Sequence, residues 1–264
     1  MGTESSASNL APAISVRNLR VGYGKRVLIE HASFDVQRGE IMGILGASGS
    51  GKSSLMKNII GLYRPMAGDI LIRGRSIVAA AEQDRAQLQR GLGVMYQSGA
   101  LFGSLTLLEN VRFPLDRFTD LTMAEKNLAA RMLLQLVEMG DAESFMPGQL
   151  SGGMTKRAGI ARAMALGSDI LLLDEPSAGL DPITGANLDQ MILSLRKNLG
   201  ITFVVVTHEL QSVFTITDRV ILLDALSHTI IAEGQARALR AHSSPRVQQF
   251  FNRQPSLGKD RTEV

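Results

Sequence analysis

Short apolar runs, separated by segments of mixed polarity, recur along most of the chain. Residues 14–21 alternate apolar and polar positions, which predicts a half-buried strand, and a second strand is expected near 34–36. Continuous apolar runs are typical of strands buried on both faces. Such strands are predicted at 41–45, 170–173, 202–206 and 219–223, and further strands at 69–72 and 93–96.

Two helices are predicted in the first half of the chain. One follows a Gly-rich turn after residue 45 and ends near Leu62. The other begins at Thr122, because Glu125 three residues later completes a capping box. Its apolar residues fall near one face of the helix, namely Leu128, Met132, Leu136 and Met139.

Two more helices are predicted in the second half. Ser151 caps a helix that runs to about Leu166, and Asp181 caps another with Pro182 in its first turn. Strands that alternate with helices indicate an α/β fold with a mostly parallel sheet, in which 98–150 is a helical insert. The buried stripe of the last helix is Leu188, Met191, Ile192 and Leu195.

Composition agrees with one large α/β domain. The chain has 264 residues, of which 45% are hydrophobic and 20% charged, so it can bury a core. Residues 1–13 are rich in Ser and Ala and are expected to be disordered, and 241–264 is a C-terminal tail. The sequence has no Cys, which excludes disulfides and thiolate chemistry. We predict no secretory signal and no membrane span, so a membrane role would require a partner.

The positive charge of the chain is local. There are 28 Lys and Arg against 25 Asp and Glu, and residues 235–264 alone contain six basic and two acidic residues. The rest of the chain is nearly neutral, which gives no electrostatic case for nucleic-acid binding. We therefore predict no nucleic-acid partner.

A phosphate-binding loop is predicted between the strand 41–45 and the helix after it. Residues 46–53 match G-x-x-x-x-G-K-[ST] in that context. The glycines let backbone N–H groups converge on phosphate oxygens, and the helix N-terminus adds a partial positive charge. Lys52 supplies a charge for the β- and γ-phosphates, and Ser53 offers a hydroxyl to Mg²⁺.

Two acids follow the strand 170–173. Asp174 can hold Mg²⁺ through water beside the phosphate loop, and Glu175 can activate the attacking water as a general base. Alone, this pair would be interpreted as two solvated acids at a strand end. Together with the loop, it predicts a single nucleotide site in the chain.

The remaining motifs resemble those of one family. Residues 150–154 (LSGGM) are similar to the LSGGQ signature of ATP-binding-cassette (ABC) ATPases, and 177–181 (SAGLD) resemble their D-loop. Gln97, His208 and Tyr23 resemble the Q-loop glutamine, the switch histidine and the aromatic residue that stacks on adenine. The resemblance covers about residues 14–235.

The resemblance implies a P-loop NTPase (RecA-like) core at 14–240, with an N-terminal antiparallel β part and a helical subdomain at about 98–165 that carries the signature. It implies ATP hydrolysis with ATP and Mg²⁺. The implied catalytic residues are Glu175, His208 and Lys52, and the implied metal ligands are Ser53, Gln97 and Asp174. The implied nucleotide-binding residues are Tyr23, Gly46, Ala47, Ser48, Gly49, Ser50, Gly51, Lys52, Ser53, Ser54, Gln97, Ser151, Gly152, Gly153 and Asp181.

The signature points to a dimer. Ser151 sits at a predicted helix N-cap beside two glycines, so its hydroxyl and the bare N–H groups can meet a γ-phosphate. In the family this phosphate belongs to the opposite subunit, which implies a head-to-tail homodimer around two ATP molecules. Met154 replaces the usual Gln, but the Ser-Gly-Gly portion remains.

Three segments resemble one branch of the family, the ATPases of Mla/MCE-type lipid transporters. They are 97–114 (QSGALFGSLTLLENVRFP), the LSGGM signature followed by TKRA, and 245–250 (PRVQQF). This branch implies an integral-membrane permease, a periplasmic MCE-domain lipid-binding protein and, in some relatives, a small STAS-domain regulator. It implies a position on the cytoplasmic face of the bacterial inner membrane.

Alternative functions stay open at this point. The core motifs fit an importer or exporter ATPase for another cargo, such as a small solute, equally well. A soluble cassette for DNA repair or ribosome work would need a long coiled coil or tandem cassettes, and 98–150 is too short for the first. Intact Lys52, Asp174, Glu175 and His208 argue against a catalytically inactive subunit.

Overall fold

The structure, a computed structural model, describes residues 11–253 of the chain. These residues contain ten strands and nine α-helices. The strands are β1 (Ile14–Tyr23), β2 (Arg26–Val36), β3 (Ile41–Gly46), β4 (Ala67–Ile72), β5 (Arg75–Ser76), β6 (Leu92–Met95), β7 (Ile170–Asp174), β8 (Thr202–Val206), β9 (Arg219–Asp224) and β10 (Thr229–Gly234). The helices are α1 (Lys52–Ile59), α2 (Glu82–Arg90), α3 (Leu107–Phe118), α4 (Met123–Leu136), α5 (Gly152–Ala163), α6 (Pro182–Leu199), α7 (Leu210–Ile216), α8 (Ala236–Leu239) and α9 (Pro245–Phe251).

Two sheets contain these strands. The smaller is antiparallel, in the order β2-β1-β4-β5, and the larger has the order β10-β9-β3-β8-β7-β6. In the larger sheet β9, β3, β8, β7 and β6 are parallel, and the edge strand β10 is antiparallel. The predicted α/β class, with a mostly parallel sheet and an N-terminal antiparallel part, is therefore confirmed.

The larger sheet is the middle of three layers. In β8, Val204 and Val206 pack toward the antiparallel sheet and α1, whereas Phe203 and Val205 pack toward α3, α4, α5 and α6. A smaller cluster joins β3 and β9 to α7, α8 and α9. Burial on both faces explains why these strands are continuous apolar runs in the sequence.

The predicted helix caps are present. Thr122 and Glu125 form a reciprocal capping box at α4, and the Ser151 hydroxyl accepts a hydrogen bond from the Met154 N–H at α5. Asp181 accepts from two N–H groups at the start of α6, each at 3.0 Å. The caps explain why these three helices begin where the sequence predicts.

Two helices end a few residues before the predicted positions. α1 ends at Ile59 and α5 at Ala163. Gly61 follows the cap of α1 with a φ of 72°, a left-handed conformation that terminates helices. α5 ends four residues before Gly167, whose N–H donates to the Met164 carbonyl at 2.9 Å in a turn. The strand expected near 34–36 is also longer than predicted, because β2 begins at Arg26.

The apolar face predicted for α4 is wrong. Leu128, Met132 and Leu136 lie on the exposed side of the helix, and Met139 is buried but lies beyond the helix end. The buried residues of α4 are Ala130 and Leu134, which pack into the helical layer. α4 covers this layer with a narrow face, so the broader apolar stripe stays at the surface.

Both termini contact the domain as far as they are described. Residues 1–10, most of the segment predicted to be disordered, lie outside the described part, but Ala13 is buried and its carbonyl accepts from the Arg73 N–H at 3.0 Å. In the predicted tail, α9 buries Val247 and Phe251 in the core. No helix within 11–253 has the length and apolarity that a membrane span requires.

Candidate nucleotide site

A cavity of about 770 Å³ lies at the carboxyl ends of the parallel strands, where β3 passes into α1. Open α/β sheets bind ligands at this edge. The walls come from the β1–β2 hairpin, the loop before α1, the ends of β6, β7 and β8, and α9. The lining residues are Tyr23, Arg26, Leu28, Gly46, Ala47, Ser48, Gly49, Gly51, Lys52, Ser53, Ser54, Gln97, Asp174, Glu175, His208 and Phe250.

The loop before α1 can be built only with glycine at its start. Gly46 has a φ of 152°, and a Cβ there would lie 2.5 Å from the Ser50 hydroxyl oxygen and 2.6 Å from the Leu223 carbonyl oxygen. Ser50, which the resemblance implies to be a nucleotide-binding residue, is buried against Gly46 and does not line the cavity.

Lys52 closes the loop from inside. Its ammonium donates to the carbonyl of Gly46 at 2.7 Å and to that of Ala47 at 3.1 Å. Burial lowers the pKa of Lys52, and the nearby charges of Glu175 and Asp174 oppose this effect. The lysine therefore holds the loop in shape while its charge stays next to the two acids.

Glu175 is part of a compact polar cluster. Its carboxylate accepts from the Thr207 hydroxyl at 3.1 Å, and its other oxygen lies 2.8 Å from Nδ1 of His208. The His208 side chain is 58% exposed and faces the cavity, whereas that of Glu175 is 12% exposed. Thr207 is buried and was not singled out in the sequence, although its place between β8 and His208 is a usable signal.

Asp174 ends β7 at the cavity wall. Burial raises its pKa, the charge of Glu175 adds to the rise, and three lysines oppose it. Its Oδ1 is buried and has no hydrogen-bond partner among the described residues. The Ser53 hydroxyl and Gln97 line the same cavity. Within 11–253, no cluster of three or more His, Asp or Glu has the arrangement of a metal site.

Tyr23 stands at the outer rim of the cavity. It is the last residue of β1, and 46% of it is exposed. Its hydroxyl donates to the Ser54 hydroxyl at 3.1 Å, and Tyr63 packs edge-on at 5.6 Å between ring centroids. One aromatic surface is thus held beside the loop.

The signature and D-loop residues lie outside this cavity. Ser151, Gly152, Gly153 and Asp181 are not among its lining residues. The two glycines also have a packing role, because a Cβ at Gly153 would lie 2.5 Å from the Thr184 methyl carbon. The structure therefore brings together the loop, Tyr23, Gln97, the two acids and His208, but not the four signature and D-loop residues.

The family model described as ABC transporter matches residues 29–178, more than half of the chain. The chain belongs to the ABC transporter family. It is the ATP-hydrolysing subunit of such a transporter.

Two relatives resemble nearly the whole ABC subunit. It is 37% identical to the Escherichia coli intermembrane phospholipid transport system ATP-binding protein MlaF, over 94% of this chain and 91% of MlaF. It is 38% identical to the probable ribonucleotide transport ATP-binding protein mkl of Mycobacterium leprae, over 91% of this chain and 69% of mkl.

Solved structures agree with the ABC cassette fold. The ATP-binding cassette MJ0796, dimeric and bound to ADP and phosphate, superposes with a TM-score of 0.76 at 29% identity, over 84% of this chain and 98% of that one. CbiO1 from Clostridium perfringens, part of an ABC transporter complex, superposes with a TM-score of 0.79 at 25% identity, over 92% and 99%.

One functional candidate in this ABC subunit was missed in the sequence. Lys156, in the helix that follows the signature, is 6% exposed, and its ammonium contacts the carbonyls of both Gln97 and Glu175. From the sequence alone, a lysine two residues after LSGGM would be interpreted as a surface residue of an amphipathic helix. Its partners are set by the packing of α5 on β6, which the sequence does not state.

Proposed function

We propose that this subunit hydrolyses ATP with Glu175 as the general base. The contacts of its carboxylate with Thr207 and His208 carry the proposal. They hold the carboxylate at the cavity wall, where it can take a proton from water that attacks the γ-phosphate. Lys52 lies beside the same carboxylate and is the cation for the phosphate oxygens.

His208 is the proposed γ-phosphate contact. Its Nδ1 lies 2.8 Å from the Glu175 carboxylate and can donate a hydrogen bond to it. A neutral imidazole has only one N–H, so Nε2 can donate to a phosphate at the same time only when both ring nitrogens carry a proton. The ring is the most exposed member of the cluster, which suits a group that must reach a phosphate. Tyr23 is proposed to stack on the base at the opposite rim.

Mg²⁺ is proposed to bind at the wall formed by Ser53, Gln97 and Asp174. The buried, unpartnered Oδ1 of Asp174 supports this assignment, because a buried polar atom normally has a partner. Mg²⁺ at phosphates needs only one or two carboxylates, with water and phosphate oxygens as its other ligands. When bound, it would neutralise charge on the phosphates.

The active unit is proposed to be a homodimer. Ser151, Gly152, Gly153 and Asp181 do not line their own cavity, so they can serve the nucleotide of a second subunit. The dimeric state of MJ0796, a cassette of similar fold, supports this arrangement. Each ATP would then lie between the loop of one subunit and the signature of the other.

The contact with a permease is proposed at 97–114. Phe102 and Phe113 are both exposed, and their ring centroids are 4.7 Å apart. Asn110 is fully buried and fixes this segment through hydrogen bonds with Phe102 and the carbonyl of Leu105. A rigid aromatic pair next to Gln97 is suited to transmit movement between the ATP site and a membrane partner.

Phospholipid is the proposed cargo, together with a periplasmic MCE-domain lipid-binding protein and a STAS-domain regulator. The match to MlaF over nearly both full lengths supports it, as do the segment 97–114 and the LSGGM signature. The subunit would then sit at the cytoplasmic face of the bacterial inner membrane. The similarity to mkl, a probable ribonucleotide transport ATP-binding protein, favours a second candidate, a ribonucleotide or other small solute.

The test is a pull-down from native membranes in mild detergent, with tagged Glu175→Gln, ATP and Mg²⁺. The bound proteins and lipids are identified by mass spectrometry, and the tagged wild-type chain without nucleotide is the control. We expect a permease, an MCE-domain protein and phospholipid. A solute-binding protein with a different permease would contradict the cargo, and ribosomal or DNA-repair partners would contradict transport itself.

A further inference from the structure

Lys156 is a buried cation at the junction of three functional segments. It lies on α5, the helix that Ser151 caps, and its ammonium donates to the carbonyl of Glu175 at 2.9 Å and to the carbonyl of Gln97. Gln97 follows β6 and Glu175 follows β7, and these strands are parallel neighbours. One side chain thus spans the ends of two adjacent strands.

Burying this ammonium works against stability unless its donors are satisfied. Removal from water lowers the pKa of Lys156, and the charges of Glu175 and Asp174 oppose the decrease. A Gln or Met of similar length would fill the same space without a charge. A contact that satisfies the lysine with two carbonyls of the ATP site therefore suggests a role at that site.

The backbone of Glu175 is the second observation. Its φ is 49°, a left-handed conformation that residues other than glycine rarely adopt. Its N–H donates to the Val206 carbonyl at 2.7 Å, and its carbonyl accepts from Lys156. The peptide groups on both sides of the Glu175 Cα are therefore each fixed by a hydrogen bond to another segment of the chain.

We propose that Lys156 is a positioning residue for Glu175. It holds the strained backbone of Glu175 in register with Gln97, so that the carboxylate faces the cavity and movement of the Gln97 segment reaches it. Because Lys156 lies on the signature helix, that helix is part of the same connection. This inference rests on the proposed role of Glu175 as general base.

A purely structural role of α5 predicts a different outcome, and the same helix offers the control. Arg162 donates to the carbonyls of Gly99 at 3.0 Å and Ala100 at 2.7 Å, in the segment just after Gln97. It anchors that segment without contacting Glu175. Arg162→Met therefore removes hydrogen bonds from α5 to the segment after Gln97. Lys156→Met removes the hydrogen bond from α5 to Gln97 and also the one to the Glu175 carbonyl.

The experiment measures kcat and KM for ATP, and Tm, for the complete transporter purified with each variant. For Lys156→Met we expect kcat to fall about tenfold or more with KM within about twofold, because small displacements of a reacting group slow chemistry without removing binding contacts. Lys156→Gln keeps a donor that reaches one carbonyl, and should recover part of kcat. Arg162→Met should lower kcat clearly less than Lys156→Met does, because it loosens the segment after Gln97 without releasing Glu175.

Equal losses of kcat in Lys156→Met and Arg162→Met, or an unchanged kcat in Lys156→Met, would overturn the proposal. If Lys156→Met does not fold, Lys156→Gln decides: a reduced kcat at unchanged KM supports it, and a wild-type kcat overturns it. Glu175→Gln is measured in parallel. Normal turnover there refutes the base assignment, whereas an inactive Glu175→Gln with a normal Lys156→Met refutes this inference alone.

Discussion

At the scale of single residues, Glu175 is held through its N–H, its carbonyl and its carboxylate. Val206 and Lys156 fix the backbone, and Thr207 and His208 contact the side chain. A general base fixed in this way loses little freedom when the reaction begins, which is the physical content of preorganisation.

Glu175→Gln is expected to lower ATP turnover by at least about 10²-fold, because the amide cannot take the proton of the attacking water. It keeps the contacts to Thr207 and the shape of the cavity, so ATP still binds. Light scattering after gel filtration with ATP and Mg²⁺ should show a stable dimer. Glu82→Gln, in the first turn of α2 and outside the cavity, is the control, and an equal loss there would contradict the assignment.

Asp189 gives a pH-dependent prediction. It is 4% exposed on α6, and burial raises its pKa to about 6, although the Ser212 hydroxyl opposes the rise. The unfolded chain releases this proton near pH 4, so between about pH 4 and 6 the folded protein binds more protons and its stability falls as pH rises. Above pH 6 the cost is complete, about 3 kcal/mol.

Asp189→Asn removes this cost. We expect its Tm to exceed that of wild type by several degrees at pH 7, and the difference to shrink toward pH 4. Thermal unfolding of both proteins across this range measures it. A difference that does not depend on pH would contradict the assigned titration.

Sequence alone identified the residues whose chemistry is written in a continuous motif, such as Lys52 and Ser53, or placed directly after an apolar strand, such as Asp174. It did not identify Lys156 or Thr207. The partners of Lys156 lie 59 and 19 residues away along the chain, so their meeting depends on how α5 packs on the sheet.

At the scale of elements, two hydroxyl helix caps allow the effect of a cap on stability to be distinguished from an effect on ATP turnover. Thr122 caps α4 in the helical insert, and Ser151 caps α5 at the signature. In both, the side-chain oxygen accepts from the N–H three residues later, at 3.4 Å and 3.2 Å. Thr122 also donates to the Glu125 carboxylate in a reciprocal capping box, which Ser151 lacks. Only Ser151 is proposed to meet a nucleotide.

Thr122→Ala and Ser151→Ala are each expected to cost about 1 kcal/mol, a decrease in Tm of about 2–4 °C. Only Ser151→Ala should also lower ATP turnover, because it removes the proposed contact to the partner's γ-phosphate. Calorimetry and phosphate release measure the two effects. Unaltered turnover in Ser151→Ala would argue against the sandwich arrangement.

Strands and helices could be predicted where their burial leaves a clear pattern of apolar residues in the sequence. The strands β3, β7, β8 and β9 are covered on both faces and appear as apolar runs. α4 was misjudged because its narrow contact with the helical layer uses Ala130, a residue that carries almost no hydrophobic signal. β2 was underestimated because exposed polar residues such as His31 and Ser33 interrupt it.

At the scale of the whole molecule, the ATP cavity lies where the two sheets meet, so its shape depends on how they are joined. Arg219 of β9 makes this connection. Its guanidinium donates to both carboxylate oxygens of Glu40, at 2.6 and 3.1 Å, and to the Asp35 carbonyl of β2 at 2.8 Å. Glu40 is buried, so its carboxylate is shielded from solvent, whereas the Arg219 side chain is 33% exposed.

Arg219→Met is expected to destabilise the fold by about 3–5 kcal/mol, because it leaves Glu40 buried without its counter-charge. Arg20→Met is the control: it breaks an exposed pair with Glu30, and exposed pairs contribute about 0–1 kcal/mol. Urea unfolding followed by circular dichroism measures both. Similar losses in the two variants would show that burial of Glu40 does not decide the energetics.

The position of α9 also makes the protein convenient for optical work. The chain contains neither Trp nor Cys. Phe250 borders the ATP cavity beside Ala47, while its neighbour Phe251 is fixed in the core. Phe250→Trp would therefore place a single indole on α9 at the wall of this cavity, without background emission from other Trp residues of the chain. Its fluorescence would follow each ATP binding event in real time, without a label on the ligand.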